Sequence, residues 1–578
     1  MRLSRRFATL TVTAALAITF LGLAGSADAR PGPKPKDLQL QVLSFNDFHG
    51  HLEPPGGVNA TLGVQLDPSA TPVGGAEYLA STLDRLRQNA RYSHTVAAGD
   101  LIGGSPFLSG LFHDEPAVES LNALGLDVSS VGHHEFDEGV SELQRMQRGG
   151  DCHLEDGCFA PWGEDGYPGA DFQWLAANVV RTSTGRTILP ATAVRTVRGV
   201  KVGYIGMTLE ATPTLVAQAG IRGIEFRDEV ETANLAAREL RRRGVETIIV
   251  LLHEGGLQSG TYQQCVGISG PIVQIAQNLH PEIDLVVTGH THQPYVCNIP
   301  DPAGRKRMVT SASSFGRVVT ETTLTFNSET GEVNRNTTTA TNHLVTRIDP
   351  DPVQTEIISR WNAAAAPIAN EVVGTISEDI NRSQNRDTEG PLANLIADAQ
   401  LAATTAPGDG GAQIAFMNPG GIRADLTYAN IVGGEQPGEL TYGEAFAVQP
   451  SGNLLVTMDL TGEQVEQLLE QQAISGRPGG RDVLIFGISH GFTFAYNPEG
   501  QFGDRINPAS IQLNGATLDP ATSYRIVTNS FLADGGDSFT VFTQGMNRLG
   551  GGEDLVAFTE YLDEHSPVAP PDDRITGI

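Results

Sequence analysis

Five apolar runs of strand length in this chain each end in a short polar cluster drawn from the same few residue types. The first run, residues 38–42, alternates as a half-buried strand does and leads into Asn46-Asp47-Phe48-His49-Gly50-His51. Residues 95–98 lead into Gly99-Asp100, and 128–131 into Gly132-His133-His134-Glu135-Phe136-Asp137. Residues 247–252 lead into His253-Glu254, and 285–287 into Gly289-His290-Thr291-His292. Helical patterns lie between the runs. In residues 228–243, for example, Val230, Ala233, Ala237 and Leu240 share one face and Gly244 stops the helix. Strands alternating with helices predict a layered α/β domain, and the carboxyl ends of its strands are where such sheets place ligands. Seven of the fourteen histidines fall in these clusters, which histidines scattered through a core or over a surface would not do. Any one cluster reads more readily as a chance match or a hydrogen-bonded turn; five at strand ends point to one site.

Imidazole and carboxylate together suit borderline cations such as Zn²⁺, Mn²⁺ or Fe, and the lack of a CxxC pair argues against a thiolate zinc site. Two cations a few ångströms apart need a ligand with two oxygens between them, and Asp100 is the candidate. Such a pair ionises water at neutral pH and stabilises charge building up on a phosphoryl group.

At 578 residues the chain exceeds what one core organises, so two domains are expected. Residues 1–29 run from Arg2, Arg5 and Arg6 through an uncharged stretch to Ala27-Asp28-Ala29, the order of a cleavable secretory signal. The signal reads as Sec-type rather than twin-arginine, because Ala8 stands where the latter prefers a bulky apolar residue. The expected product is secreted, with no stable membrane insertion after cleavage; pattern leaves its oligomeric state open. The whole chain carries −29, and loss of three arginines and one aspartate with the signal takes it to about −31. Such acidity keeps an exported protein soluble and makes a poor binder of nucleic-acid polymers, so a phosphate substrate must be held by local metals or arginines. Four cysteines in an exported chain suggest disulfides, and spacing favours Cys152–Cys158 and Cys265–Cys297 among three possible pairings.

Asp349-Pro350-Asp351-Pro352 punctuates the chain, and an Ala-rich helix over residues 353–370 follows as a linker. Beyond it a second α/β unit is expected, with helices at 391–403 and 462–472 and strands at 413–417, 454–460 and 524–528. Three of its loops suit a ligand: Arg386 before a helix, Asn418-Pro419-Gly420-Gly421-Ile422-Arg423 after a strand, and 529–537, which contains Phe531 and Asp537. Arginines bind phosphate, an aromatic face stacks a base, and Asp accepts from ribose hydroxyls. Ordinary turn chemistry explains the same residues, with glycines supplying positive φ and arginines pairing at the surface.

In Asp47-Phe48-His49, Gly99-Asp100, Gly132-His133-His134-Glu135, His253 and Gly289-His290-Thr291-His292, the chain resembles the calcineurin-like metallophosphoesterases. Within them it is similar to the exported 5′-nucleotidase and UDP-sugar hydrolase group, over nearly all of the mature chain. The resemblance implies a four-layer metallophosphoesterase sheet domain at 30–348, a linker helix at 349–372 and a smaller α/β (α+β) nucleotide-binding domain at 373–578. It implies two divalent metal ions of the Zn, Mn or Co type. One would be held by Asp47, His49, Asp100 and His292, the other by Asp100, residue 133, His253 and His290. His134 and Asp137 look like the family's catalytic pair, with Asp137 orienting the ring. Arg386, Asn418 and Arg423 would lie near the substrate phosphate, Phe531 would stack on the base and Asp537 would hold the ribose.

Two positions depart from the family pattern. His133 stands where the family has Asn, which leaves three readings: an imidazole ligand in place of the amide, a weakened or altered second metal site, or lost activity. Ser451 stands where a second stacking Phe is usual, with Tyr442 and Phe446 as possible replacements. The expected activity is hydrolysis of nucleoside 5′-monophosphates, with UDP-sugars or 2′,3′-cyclic nucleotides as sibling substrates. A nucleotide-binding protein impaired in catalysis is the reading from another class.

Overall fold

The computed structural model describes residues 37–577 except 155–156, 164–165, 217–219, 432–433, 451 and 476–481. The expected signal at 1–29 and the departure at Ser451 lie outside the described residues. Among the described residues, no helix is long and apolar enough to cross a membrane.

Twelve strands form two six-stranded sheets in the N-terminal domain. In chain order they are β1 (Leu38–Phe45), β2 (Ser93–Ala98), β3 (Val128–Ser130), β4 (Gln173–Leu175), β5 (Thr192–Val197) and β6 (Val200–Thr208). There follow β7 (Thr247–His253), β8 (Leu285–Thr288), β9 (Tyr295–Asn298), β10 (Met308–Ser311), β11 (Val318–Phe326) and β12 (Thr339–Leu344). One sheet runs β12-β11-β1-β2-β3-β4 and the other β9-β10-β8-β7-β6-β5. The strands that carry the polar clusters are parallel within each sheet: β1, β2 and β3 in the first, β7 and β8 in the second. The five runs of the sequence are thus divided between two sheets.

The layers follow from strand periodicity. Leu40 and Val42 of β1, Val96 and Ala98 of β2, Ile249 and Leu251 of β7, and Leu285 and Val287 of β8 form a core between the sheets. The alternate residues Leu43, Phe45 and Ala97 face helix α1 (Ala76–Arg87), which lays Leu79, Leu83 and Leu86 on them. Ile248, Val250 and Val286 face α2 (Glu229–Arg242) and α3 (Pro271–Asn278) on the far side. Strands buried on both faces read as continuous apolar runs, as residues 95–98 and 247–252 do. Each fully buried Leu, Ile or Val contributes on the order of 1.5–3 kcal/mol, so this double-sided burial fixes where the strands end.

Polar atoms inside the layers are matched. Arg307 is completely buried, and its guanidinium donates to the carbonyls of Ile283 at 2.9 Å, Ala276 at 2.6 Å, Leu279 at 3.3 Å and His280 at 2.7 Å. It thereby satisfies carbonyls at the carboxyl end of α3, which have no partner within the helix. Disulfides join Cys152 to Cys158 and Cys265 to Cys297, the expected pairs, and account for all four cysteines.

Helix α4 (Pro352–Ala369) is the expected linker, and Asp351 caps it by accepting from the N–H groups of Val353 and Gln354, each at 3.0 Å. The helix is fastened to the N-terminal domain: Trp361 is fully buried, with its indole N–H donating to Glu119 at 2.8 Å. The C-terminal domain holds β13 (Ile414–Met417), β14 (Leu454–Thr461), β15 (Gly487–Ile488), β16 (Ser523–Asn529) and β17 (Met546–Glu553) in the order β15-β13-β16-β14-β17. Ile414 and Phe416 face helix α6 (Gly462–Glu470), while Ala415 and Met417 face α5 (Pro391–Thr404) and α7 (Asp554–His565).

Asp554, at the start of α7, is 2% exposed, and its Oδ1 has no hydrogen-bond partner. Burial first, and Glu553 beside it second, raise its pKa to about 8, so the folded chain holds this carboxyl protonated at neutral pH. The unfolded chain releases that proton near pH 4, so the fold binds more protons than the unfolded state between about pH 4 and 8. The resulting stability is fully present below about pH 4 and is lost as pH rises to about 8, with a ceiling slope of about 1.4 kcal/mol per pH unit. Asp554→Asn should flatten this segment of the urea-midpoint profile and raise the midpoint at pH 8. A profile identical to wild type would show that the carboxyl ionises freely in the fold.

Candidate metal and catalytic site

Parallel register brings the cluster-bearing ends of β1, β2 and β3 to one edge: Phe45 lies opposite Ala97, and Ala98 opposite Ser130. Past the strands, the loops lock together through the backbone. The Asp47 N–H donates to Gly99 O and the His49 N–H to Asp100 O, each at 3.0 Å. Glu135 is buried, and its carboxylate accepts from the N–H groups of Asp100 at 3.0 Å, Leu101 at 2.9 Å and Gly132 at 2.5 Å. Five cluster residues, Asp47, His49, Asp100, His290 and His292, have φ between 47° and 69°. Left-handed backbone costs a non-glycine residue on the order of 1–3 kcal/mol, and its concentration here marks a site where geometry outranks stability. The glycines of the clusters are dictated by close approach: a Cβ on Gly289 would lie 2.8 Å from Asp47 Oδ2, and one on Gly99 2.9 Å from His253 Nδ1.

The side chains converge in two groups around Asp100. Asp47, His49 and His292 bring ligand atoms within 4.8 Å of one another, as do His133, His253 and His290. Asp100 Oδ2 lies 3.7 Å from His49 Nε2, 2.9 Å from His253 Nε2 and 3.3 Å from His133 Nδ1, so it faces both groups. Asp47 Oδ1 lies 3.2 Å from His292 Nε2. Backbone carbonyls set the tautomers, since a carbonyl only accepts. His49 Nδ1–H donates to Gly103 O at 2.7 Å and His253 Nδ1–H to Ala98 O at 2.8 Å, leaving each Nε2 lone pair turned inward. His49 Nε2, Asp100 Oδ2 and His290 Nδ1 are buried without a hydrogen-bond partner. Such atoms are costly unless a cation or proton answers them. Carboxylates and neutral imidazoles with orphaned, converging lone pairs fit divalent cations of the Zn, Mn or Co type.

His133, the departure from the family pattern, points into this site, with its Nδ1 3.3 Å from His253 Nε2. Beside it, His134 Nδ1–H donates to Asp137 Oδ2 at 2.6 Å, leaving Nε2 as the nitrogen free to meet a substrate. Burial works against a charge on this ring, but Asp137 and then Asp100 outweigh it and raise its pKa to about 10. The Asp137 carboxylate thus favours the protonated form of the ring.

In the C-terminal domain, three of the five expected substrate residues meet around Gly420. A Cβ there would lie 3.2 Å from Arg386 Nη1, 3.3 Å from Asp537 Oδ2 and 3.5 Å from Asn418 Nδ2. Asn418 Nδ2 donates to Asp537 at 3.1 Å, and Asn529 Nδ2 steadies Asn418 at 2.9 Å. The Phe531 ring is exposed, with Gly536 beneath it where a Cβ would collide. Arg423 is exposed, and the hydrogen bonds joining Asn418 to Asp537 do not extend to it. Tyr442 and Phe446, the possible replacements for a second stacking ring, both pack on Phe107 of the N-terminal domain, at 5.8 and 5.2 Å between centroids. The domains also meet at the site itself, where a Cβ on Gly104 would lie 3.2 Å from His134, 3.3 Å from His49 and 3.4 Å from Gly452 O.

Sequence reasoning assigned no role to Glu135, Asn46 or Phe315. Asn46 Oδ1 accepts from the Ala312 N–H at 2.8 Å while its Nδ2 donates to Asp47 Oδ2 at 2.6 Å. Phe315 places its ring 5.2–5.8 Å from those of His292 and His49, and its N–H donates to Asp47 O at 2.7 Å. Glu135 and Asn46 were within reach, as polar neighbours of ligands inside the clusters; Phe315 lies in a segment with no such signal.

Two family models match the chain: calcineurin-like phosphoesterase over residues 40–294 and 5′-nucleotidase, C-terminal domain, over residues 372–544. The cell wall protein Lmo0130 of Listeria monocytogenes is 31% identical over 96% of this chain and 70% of its own length. The endonuclease YhcR of Bacillus subtilis is 31% identical over 90% of this chain, which spans only 39% of that protein. Among solved structures, a 5′-nucleotidase precursor from Thermus thermophilus is 26% identical, covers 93% of this chain and 99% of its own, and superposes with a TM-score of 0.57.

If His133 is a ligand, His133→Ala should lower the divalent metal retained per chain after dialysis and slow hydrolysis of an activated phosphodiester on the order of 100-fold. His133→Asn should restore metal content, since an amide oxygen ligates from the same backbone position. Metal content unchanged in the alanine variant would remove His133 from the ligand set.

Proposed function

Because the chain belongs to the calcineurin-like metallophosphoesterases that carry a 5′-nucleotidase C-terminal domain, and is thus a phosphate-ester hydrolase, we propose that it is a secreted enzyme releasing phosphate from nucleoside 5′-monophosphates. The observation that carries the reading is the partition of seven ligand side chains into two groups that share Asp100. On this reading Asp47, His49, Asp100 and His292 hold one divalent cation, and Asp100, His133, His253 and His290 hold a second. Two such cations, when bound, supply Lewis acidity toward the phosphoryl oxygens and lower the pKa of water to the neutral range.

The chain's own residues do the rest. Asp137 fixes the tautomer of His134, whose Nε2–H donates to the departing ester oxygen and stabilises the charge growing there. Arg386 and Asn418, with Arg423 on the neighbouring turn, receive the anionic side of the nucleotide, Asp537 the ribose hydroxyls and Phe531 the base. The metal-holding domain is taken as 30–348, the linker as 349–372 and the nucleotide-binding domain as 373–578. Export is supported by the signal-like order of residues 1–29 and by the similarity to a cell wall protein.

One observation favours a second substrate class. With Tyr442 and Phe446 committed to Phe107, Phe531 is the one exposed ring among the residues assigned to the base. Stacking on one face contributes on the order of 1–3 kcal/mol, which selects for a base without discriminating sharply among nucleotides. UDP-sugars or 2′,3′-cyclic nucleotides are therefore the next substrates to test.

Phosphate release should be measured from AMP, UDP-glucose and 2′,3′-cyclic AMP in Zn²⁺, Mn²⁺ and Co²⁺. AMP is expected to give the highest kcat/KM, and His134→Ala to lower it by on the order of 10²- to 10⁴-fold. Phe531→Ala should cost about 5- to 150-fold on AMP and leave p-nitrophenyl phosphate unaffected. No turnover of AMP in any of the three metals would refute the substrate assignment.

A further inference from the structure

A second convergence of imidazole and carboxylate lies outside the residues assigned to the two-cation centre. His113 stands in a left-handed turn, φ 49°, just before the helix Glu115–Ala123. Glu138 follows Asp137 directly and precedes the helix Gly139–Arg148. His153 sits inside the loop closed by Cys152 and Cys158, where its backbone N–H and C=O pair with Gly157 at 3.1 and 3.0 Å. The two imidazoles stack with centroids 3.5 Å apart and planes 12° from parallel. Both turn a nitrogen to the Glu138 carboxylate: His113 Nδ1 lies 2.8 and 2.9 Å from its oxygens, and His153 Nε2 lies 3.3 Å from Oε2. One ligand atom from each of the three side chains lies within 4.8 Å of the others.

Charge makes this arrangement unusual for a plain hydrogen-bonded triad. Two imidazolium rings stacked at 3.5 Å repel one another, so protonating both at once is unfavourable. With both rings neutral, a single divalent cation answers two lone pairs and a carboxylate at once. The surroundings favour positive charge. Glu138 lines a cavity of about 30 Å³ together with Asp114, Asp137, Glu142 and Glu553, and among the described residues no Lys or Arg lines it. Arg145 offsets part of this charge by pairing with Glu142 at 2.7 Å and Glu115 at 2.6 Å. Glu138 supplies the carboxylate oxygens of the cluster. With 43% of its side chain exposed, it also leaves an approach from solvent for an ion with its remaining water ligands.

We propose that His113, Glu138 and His153 form a third divalent-cation site of the Zn²⁺ class, separate from the centre around Asp100. Its nitrogen and oxygen ligands suit zinc, with water completing a fourth position. The bound ion joins three segments: the disulfide loop, the turn before Asp114, and the residue that follows Asp137. Asp114 accepts from the Gly103 N–H at 2.7 Å, and Gly103 O orients His49. The third ion therefore sits behind the catalytic turn without touching a substrate or a ligand of the centre around Asp100.

Crystals of the full mature chain grown with Zn²⁺ should show an anomalous peak at the zinc edge between His113 and His153, apart from any peaks around Asp100. After dialysis against zinc, His113→Ala should bind one equivalent fewer per chain than wild type, while its hydrolysis of an activated phosphodiester stays within about twofold. In Asp100→Asn crystals the His113–His153 peak should persist. A wild-type map without that peak, or a His113→Ala variant with the same zinc content as wild type, overturns the proposal. Neither result bears on the centre around Asp100, whose failure would show instead as missing peaks there.

Discussion

The Glu135 carboxylate reaches no substrate, yet the geometry of the site hangs on it. It collects the N–H groups of Asp100, Leu101 and Gly132 just where β2 and β3 have ended and no ladder partner is left for them. Buried N–H groups must find acceptors, and three donors on one carboxylate tie two strand-end loops at a single point. With those loops tied, Asp100 is held in left-handed backbone, its Oδ1 accepts from the His134 N–H at 3.0 Å, and its Oδ2 is turned into the space between the two imidazole groups. The strain in Asp47, His49, His290 and His292 persists for the same reason: the double-sided burial of the strands behind them leaves the loops no slack.

The two halves of the molecule solve the same problem differently. In the N-terminal domain the ligand-bearing loops sit on two parallel-stranded edges that meet, and His253 joins the sheets by donating to Ala98 O. In the C-terminal domain the loops after β13 and β16 gather Asn418, Asn529 and Asp537 through side-chain hydrogen bonds, and the sheet behind them is mixed. The first arrangement gives rigid placement, as ions require. The second leaves Phe531 and Arg423 exposed at the surface, as a recognition site for a varied organic ligand can tolerate.

Much of this was legible in residue order, because periodicity and burial are local signals. The helix of residues 228–243 formed as α2 with Asp228 accepting from the Glu231 N–H, and the linker helix formed behind its Asp-Pro cap. The distribution of the five runs over two sheets was not legible: strands buried on both faces carry the same apolar pattern whichever sheet they join. The short strand β4, three residues long, lies below the length at which alternation can be read. In the site, residue types and glycine spacing marked the ligands, whereas the support from Phe315 and the commitment of Tyr442 and Phe446 to Phe107 depend on distant packing. No local pattern encodes a contact between residues so far apart along the chain.

The meeting of Gly104 with Gly452 has a mechanical meaning. Backbone touches backbone there, with a Cβ on Gly452 falling 2.8 Å from Gly104 Cα. Two bare peptide chains in contact form a hard stop whose thickness no side-chain substitution can thin. The stop stands against His134 and His49, so it gauges how closely the C-terminal loops press on the ions' chamber. A larger residue at either position would act as a shim, holding the two halves apart by about the width of a methyl group.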